Sequence, residues 1–188
     1  MQVLKEEVRK QILLSAEKKF CEKGFLETTT RSIAMEAKIS VSNLYLYYEN
    51  KETLFLAVAE PIFHQFNSML QDFLVHSDPM DDLSRNISLG MGKIITAGLD
   101  RFLLLSEKSK GTKYEGFREQ LVEELKKHIL VQLHDSVVDQ ELMASVFSKS
   151  LIEGIIQIAK EHKTQKQLAQ CLQQLADYHT DGIRRFLK

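Results

Sequence analysis

The chain has 188 residues, 44% of them hydrophobic, with two prolines and eight glycines, enough for one large domain or two small ones of mainly helical character. A formal net charge of −1 excludes a protein that sticks to polyanions generally, and no run of about 18 apolar residues suggests a membrane span. Residues 1–51 hold nine Lys/Arg against seven Asp/Glu, a balance of +2, and residues 52–188 sixteen against nineteen, a balance of −3. That sign suits a small basic head on a mildly acidic body.

The opening M-Q-V-L-K-E-E-V-R-K mixes both charges and lacks the apolar core of a signal peptide. Leu4, Val8, Ile12, Ala16 and Phe20 recur every fourth position, with Leu13 and Cys21 widening the stripe, which predicts a helix over 4–23. Gly24 follows where a left-handed residue would end it, and Phe25 can fold back. Cys21 and Cys171 lie far apart in apolar stripes, as expected for buried, reduced thiols in a cytoplasmic protein.

Thr29 is the expected N-cap of a second helix with Ile33, Ala34 and Ala37 inward. Lys38, Ile39 and Ser40 turn into a third helix within S-V-S-N-L-Y-L-Y-Y-E-N-K, residues 40–51. Ser40 and Asn50 are helix-start residues, and Leu44 and Tyr48 are assigned to the core. So short a helix is unstable alone and needs neighbours. Helix, three-residue turn and helix, with small residues at the contact, is a helix-turn-helix arrangement.

The run from about Ile12 to Phe55 resembles the N-terminal domain of the TetR family of bacterial repressors. Ala16, Phe20, Gly24, Phe25, Thr28, Thr29, Ile33, Ala34, Ala37, Ser40, Leu44, Tyr45, Tyr47, Lys51 and Leu54 match its pattern in register without a gap. The chain departs from it at Lys38, where the family has glycine, at Ser42, also usually glycine, and at Tyr48, usually phenylalanine. The resemblance implies an all-α fold: a DNA-binding head at 1–50, then a helical effector-binding and dimerisation domain at 51–188, about nine helices in all. It implies a ligand-responsive repressor that binds a palindromic double-stranded operator as a homodimer.

Within that reading, Tyr47 and Lys51 match phosphate-contacting positions, and Val41, Ser42 and Asn43 are left to read bases. Thr29 serves as cap or phosphate ligand, Arg31 as DNA-backbone contact or solvated charge, and Tyr45 stands half buried against the first helix with only its hydroxyl toward DNA.

The stripe Leu54, Phe55, Val58, Ile62, Phe66, Met69, Leu70 and Phe73 predicts a fourth helix from Lys51 to about Val75 with Pro61 inside it. Asp78-Pro79 breaks the chain and restarts a fifth helix over 79–98. Further helices are expected at about 99–108, 114–135, 139–162 and from Thr164 to the end. By resemblance, an effector pocket draws on Phe66, Met69, Met91, Ile95, Phe102, Phe117, Leu121 and Phe147. Such stripes also read as plain core. The dimer interface is expected at Val146, Ser150, Gly154, Ile158, Leu168, Leu172, Leu175 and Ile183, the last two helices pairing with their copies as a four-helix bundle.

No H-E-x-x-H, Cys-x-x-Cys or Glu-x-x-His pair supplies metal-site spacing, and G-M-G-K at Gly90 lacks the third glycine of a nucleotide loop. No enzyme, metal or cofactor is therefore expected. The alternative to a regulator is a helical ligand-binding or scaffold protein whose head has lost DNA binding.

Overall fold

A computed structural model describes residues 2–76 and 98–188. Among these residues the regular structure is helical: α1 (Gln2–Glu27), α2 (Thr30–Glu36), α3 (Val41–Tyr45), α4 (Lys51–His76), α5 (Leu99–Glu107), α6 (Phe117–Gln132), α7 (Gln140–Glu161), α8 (Gln165–Ile183) and a final 3-10 turn, Arg184–Phe186. The expected fifth helix at 79–98 lies outside the described residues except for Gly98, which is non-helical with φ 112°. The helix expected over 114–135 is shorter at both ends, because Gly116 precedes it and Leu133 is extended.

Residues 1–65 with 100–115 form one compact unit, and residues 66–99 with 116–188 another. The first unit reaches past residue 50 for a physical reason. Gly24, at φ 77° and ψ 172°, breaks α1 so that Phe25 turns back. There Phe20, Phe25 and Phe55 form an aromatic cluster, with ring centroids 4.9 Å apart for Phe20–Phe55 and 5.1 Å for Phe25–Phe55. The Phe25 amide also donates to the Lys108 carbonyl at 2.9 Å. Ile12, Ala16, Phe20, Ile33, Leu44, Leu54 and Phe55 are fully buried. Each large side chain among them is worth about 1.5–3 kcal/mol of transfer free energy, which lets a five-residue α3 persist.

In the second unit α6 packs on α7 and α7 on α8. Phe117, Leu121, Leu125 and Ile129 meet a broad α7 face that includes Leu151, Ile152, Ile155 and Ile156. Gly154 lies against α8: a Cβ there would sit 2.9 Å from both methyls of Leu175. The C-terminus is tied back by His134 N–H to Phe186 O at 2.8 Å and Lys188 N–H to Gln132 O at 2.9 Å.

Two expectations need correction. The cysteines are free but half-buried rather than buried. Burial still pushes the Cys21 thiol up to about 12, so it is no nucleophile at neutral pH. α7, with mean hydropathy 1.4, is long and apolar enough by composition to cross a bilayer, although the sequence shows no uninterrupted apolar run. Its buried face, including Ala144, Leu151, Ile152, Ile155 and Ile156, lies on the side that packs against α6 and α8.

Candidate nucleic-acid interface

Helices α2, α3 and α4 each start on the side chain that the sequence nominates. Thr29 Oγ1 accepts from Ser32 N–H at 3.1 Å while Ser32 Oγ accepts from Thr29 N–H at 3.3 Å, a capping box. Ser40 Oγ accepts from Asn43 N–H at 3.1 Å. Asn50 Oδ1 accepts from Thr53 N–H at 2.8 Å, starting α4. Between α2 and α3, Lys38 is left-handed at φ 56°, as its place in the glycine position demands. That conformation costs a lysine about 1 kcal/mol.

The helix-turn-helix is then fastened to α1. Glu36 receives Lys18 at 2.5 Å and Lys19 at 3.2 Å, which holds its carboxyl below its ordinary pKa. Thr28, fully buried, donates its hydroxyl to Lys19 O at 3.0 Å.

With Leu44 fully buried and Tyr48 only 7% exposed, the opposite side of α3 is fixed. At about 100° per residue, Ser42 and Leu46 lie farthest from Leu44. Val41, Asn43 and Tyr47 are half-buried flanks, while Ser42 and Leu46 are exposed. Tyr45 is half exposed, and its hydroxyl lies 3.3 Å from Thr30 Oγ1, so it braces on α2 rather than on the first helix. Thr29 and Arg31 stand exposed at the start of α2.

Lys51 is drawn inward. Its ammonium donates to Phe25 O at 2.7 Å and Leu26 O at 3.3 Å, and lies 4.2 Å from the Phe25 ring centroid. Burial lowers its pKa. Its geometry is that of a cation capping the break at Gly24, and the sequence gives no sign of it. Leu46 is the other omission. Its signal in the sequence is its spacing of two from Leu44, which puts it on the opposite side of the helix.

Residues 12–58, about a quarter of the chain, match the family model for bacterial regulatory proteins of the tetR family. The head is a TetR-family helix-turn-helix domain. Searched against curated proteins, the chain has no match. Solved structures with a similar fold include a TetR-like transcriptional regulator from Rhodococcus sp. RHA1, at 23% identity over 93% of this chain and 96% of that one, TM-score 0.63. NalD of Pseudomonas aeruginosa, the secondary repressor of the MexAB-OprM multidrug efflux pump, is 19% identical over 98% of both chains, TM-score 0.65. A gamma-butyrolactone receptor (ArpA-like protein) is 19% identical over 94% of this chain and 97% of that one, TM-score 0.57. The whole chain thus has the fold of TetR-family regulators.

The residues expected to line a pocket fall in both units, as far as they are described. Phe66 and Phe117 are buried in the second unit with ring centroids 6.4 Å apart, and Leu121 is buried there too. Phe147 is half-buried and stacks on Phe186 at 5.4 Å. Phe102 is buried in the first unit. Met91 and Ile95, and the Met69 side chain, are outside the described residues. One open groove in the first unit, ≈ 520 Å³, contains none of these; Leu14, Glu17, Lys18, Cys21, Asp100 and Arg101 are among its walls.

The expected interface positions divide likewise. Leu168, Leu172 and Ile183 are already buried inside the unit, at 0%, 3% and 8% exposure, so they back the outer face rather than form it. Val146 and Ser150 are exposed, and Gly154, Ile158 and Leu175 half-buried.

Proposed function

We propose that this chain is a ligand-responsive, sequence-specific DNA-binding transcriptional regulator, a cytoplasmic repressor that binds a near-palindromic operator as a homodimer. The observation that carries the reading is the α3 surface: a capped helix, anchored through Leu44 and Tyr48, with Ser42, Asn43, Tyr45 and Tyr47 at or beside its outer side. A helix of this kind enters the major groove, with donors on its flanks gripping phosphates. Tyr47, Thr29 and Arg31 supply the phosphate contacts; Lys51 reaches a phosphate only by releasing the Phe25 and Leu26 carbonyls. Val41, Ser42 and Asn43 supply base readout.

Dimerisation uses the outer faces of α7 and α8 around Val146, Ser150, Gly154, Ile158 and Leu175. A small, largely apolar effector binds in the helical domain, beside Phe66, Phe117 and Leu121, and releases the operator. Pro61 supports a route for that signal. It lies within α4, one helical turn before Gln65, the last α4 residue of the first unit. A helix lacking one backbone hydrogen bond bends there at lower cost.

The test is an anisotropy titration with DNA from the region upstream of the protein's own gene. Tyr47→Ala should weaken binding to all sequences alike, whereas Asn43→Ala should change the preference among them. Weak wild-type binding that is indifferent to sequence would favour a scaffold with a vestigial head.

A further inference from the structure

Leu46 is singled out by its place on α3 rather than by exposure alone, which Met35 and Val138 share. It is 82% exposed, at the C-terminal end of α3. Its backbone is still helical, at φ −72° and ψ −18°, so its side chain continues the α3 wheel. With Ser42 one turn earlier, it occupies the side facing away from Leu44, flanked by Tyr45 and Tyr47. The centre of the surface that meets DNA is thus an uncovered isobutyl group beside a hydroxyl. Leucine has no donor or acceptor and cannot pair with a base edge. The one apolar feature of the major-groove edges is the C5 methyl of thymine.

We propose that Leu46 is a specificity-determining residue that packs against a thymine methyl in each half of the operator, while Ser42 beside it contacts the adjoining base. The proposal rests on the DNA-binding reading above and deepens it. Removing the thymine methyl should cost what one buried methyl is worth, about fourfold in affinity per contact, and the loss should depend on Leu46.

The experiment starts from a duplex selected by the full-length protein out of a random-sequence pool, with deoxyuridine then placed at each thymidine in turn. Wild-type protein should bind about fourfold more weakly when one particular thymidine in either half-site is replaced, and about sixteenfold more weakly when both are. Leu46→Ala should bind the thymidine and deoxyuridine duplexes equally, while Tyr47→Ala should weaken both and keep the difference. Because Leu46 is exposed, Leu46→Ala should melt like wild type, which circular dichroism checks. A wild-type protein indifferent to deoxyuridine at every position overturns the proposal, as does Leu46→Ala with the wild-type difference intact. Should no sequence-selective duplex emerge, the DNA-binding reading itself falls and Leu46 falls with it.

Discussion

Tyr48 sits where related heads have phenylalanine, and its hydroxyl has no hydrogen-bond partner while the ring is only 7% exposed. The exposed Arg9 guanidinium comes near enough for its own pKa to be raised, chiefly by Tyr48, but not at hydrogen-bonding geometry. A buried unsatisfied hydroxyl costs about 1–3 kcal/mol. Tyr48→Phe should therefore stabilise the protein by about 1 kcal/mol, read as a higher melting temperature. Lys51 bears the opposite sign. Lys51→Met leaves the Phe25 and Leu26 carbonyls without their donor and should cost about 1–2 kcal/mol, whatever it does to DNA affinity; an unchanged denaturation midpoint would refute the capping role. At this scale the sequence was partly legible. Thr29, Ser40 and Asn50 announce themselves because a cap needs only a short oxygen-bearing side chain beside its own helix. The inward reach of Lys51 is a contact across 25 residues, made possible by the break at Gly24, and periodicity does not encode it.

At the scale of elements, the apolar stripes locate α1, α4, α6, α7 and α8 because each buries one face. Their ends were less legible where no cap marks them, as at Gly116. Gly154 makes the α7–α8 contact testable. Gly154→Val drives a branched side chain into the Leu175 methyls, and overpacking of this kind costs about 1–3 kcal/mol; the thermal midpoint should fall accordingly. Two histidines give the same unit a pH dependence. Burial lowers the pKa of His128, and Gln132 Nε2 donates to its Nε2 at 2.9 Å, which requires that nitrogen unprotonated. Burial likewise lowers His179, against an opposing hydrogen bond with the Ser150 backbone. Their folded pKa values thus lie below about 6.5, the unfolded value. The unfolded chain binds these protons first, so stability is intact above pH 6.5 and declines as pH falls below it. The denaturant midpoint should drop between pH 7.5 and 5.5, and drop less in a His128→Asn/His179→Asn double variant.

For the whole molecule, the two compact units set the terms. The head was legible because fifteen residues of one family pattern fall in register within a short stretch, and because the caps among them act on their own helices. The residues expected to line a pocket were not distinguishable from core, since Phe66, Phe102, Phe117 and Leu121 are all buried, and the alternation of apolar residues reads the same whether they line a cavity or fill a core. On α7 and α8 the apolar residues outnumber what one face needs, and which of them turn inward depends on packing that only the structure reveals. Pro61→Ala should blunt the effector response while leaving effector-free DNA affinity within about twofold, if α4 carries the signal through its weakened turn; an unaltered response would remove Pro61 from the account.

The proposed role of the α3 surface is to read DNA sequence. It is tested most directly by titrating the full-length wild-type protein against a selected duplex and a scrambled duplex of equal composition over a range of salt. The selected duplex should bind at least about a thousandfold more tightly, with log affinity falling linearly in log salt for both. Equal affinity for the two duplexes at every salt concentration would contradict it.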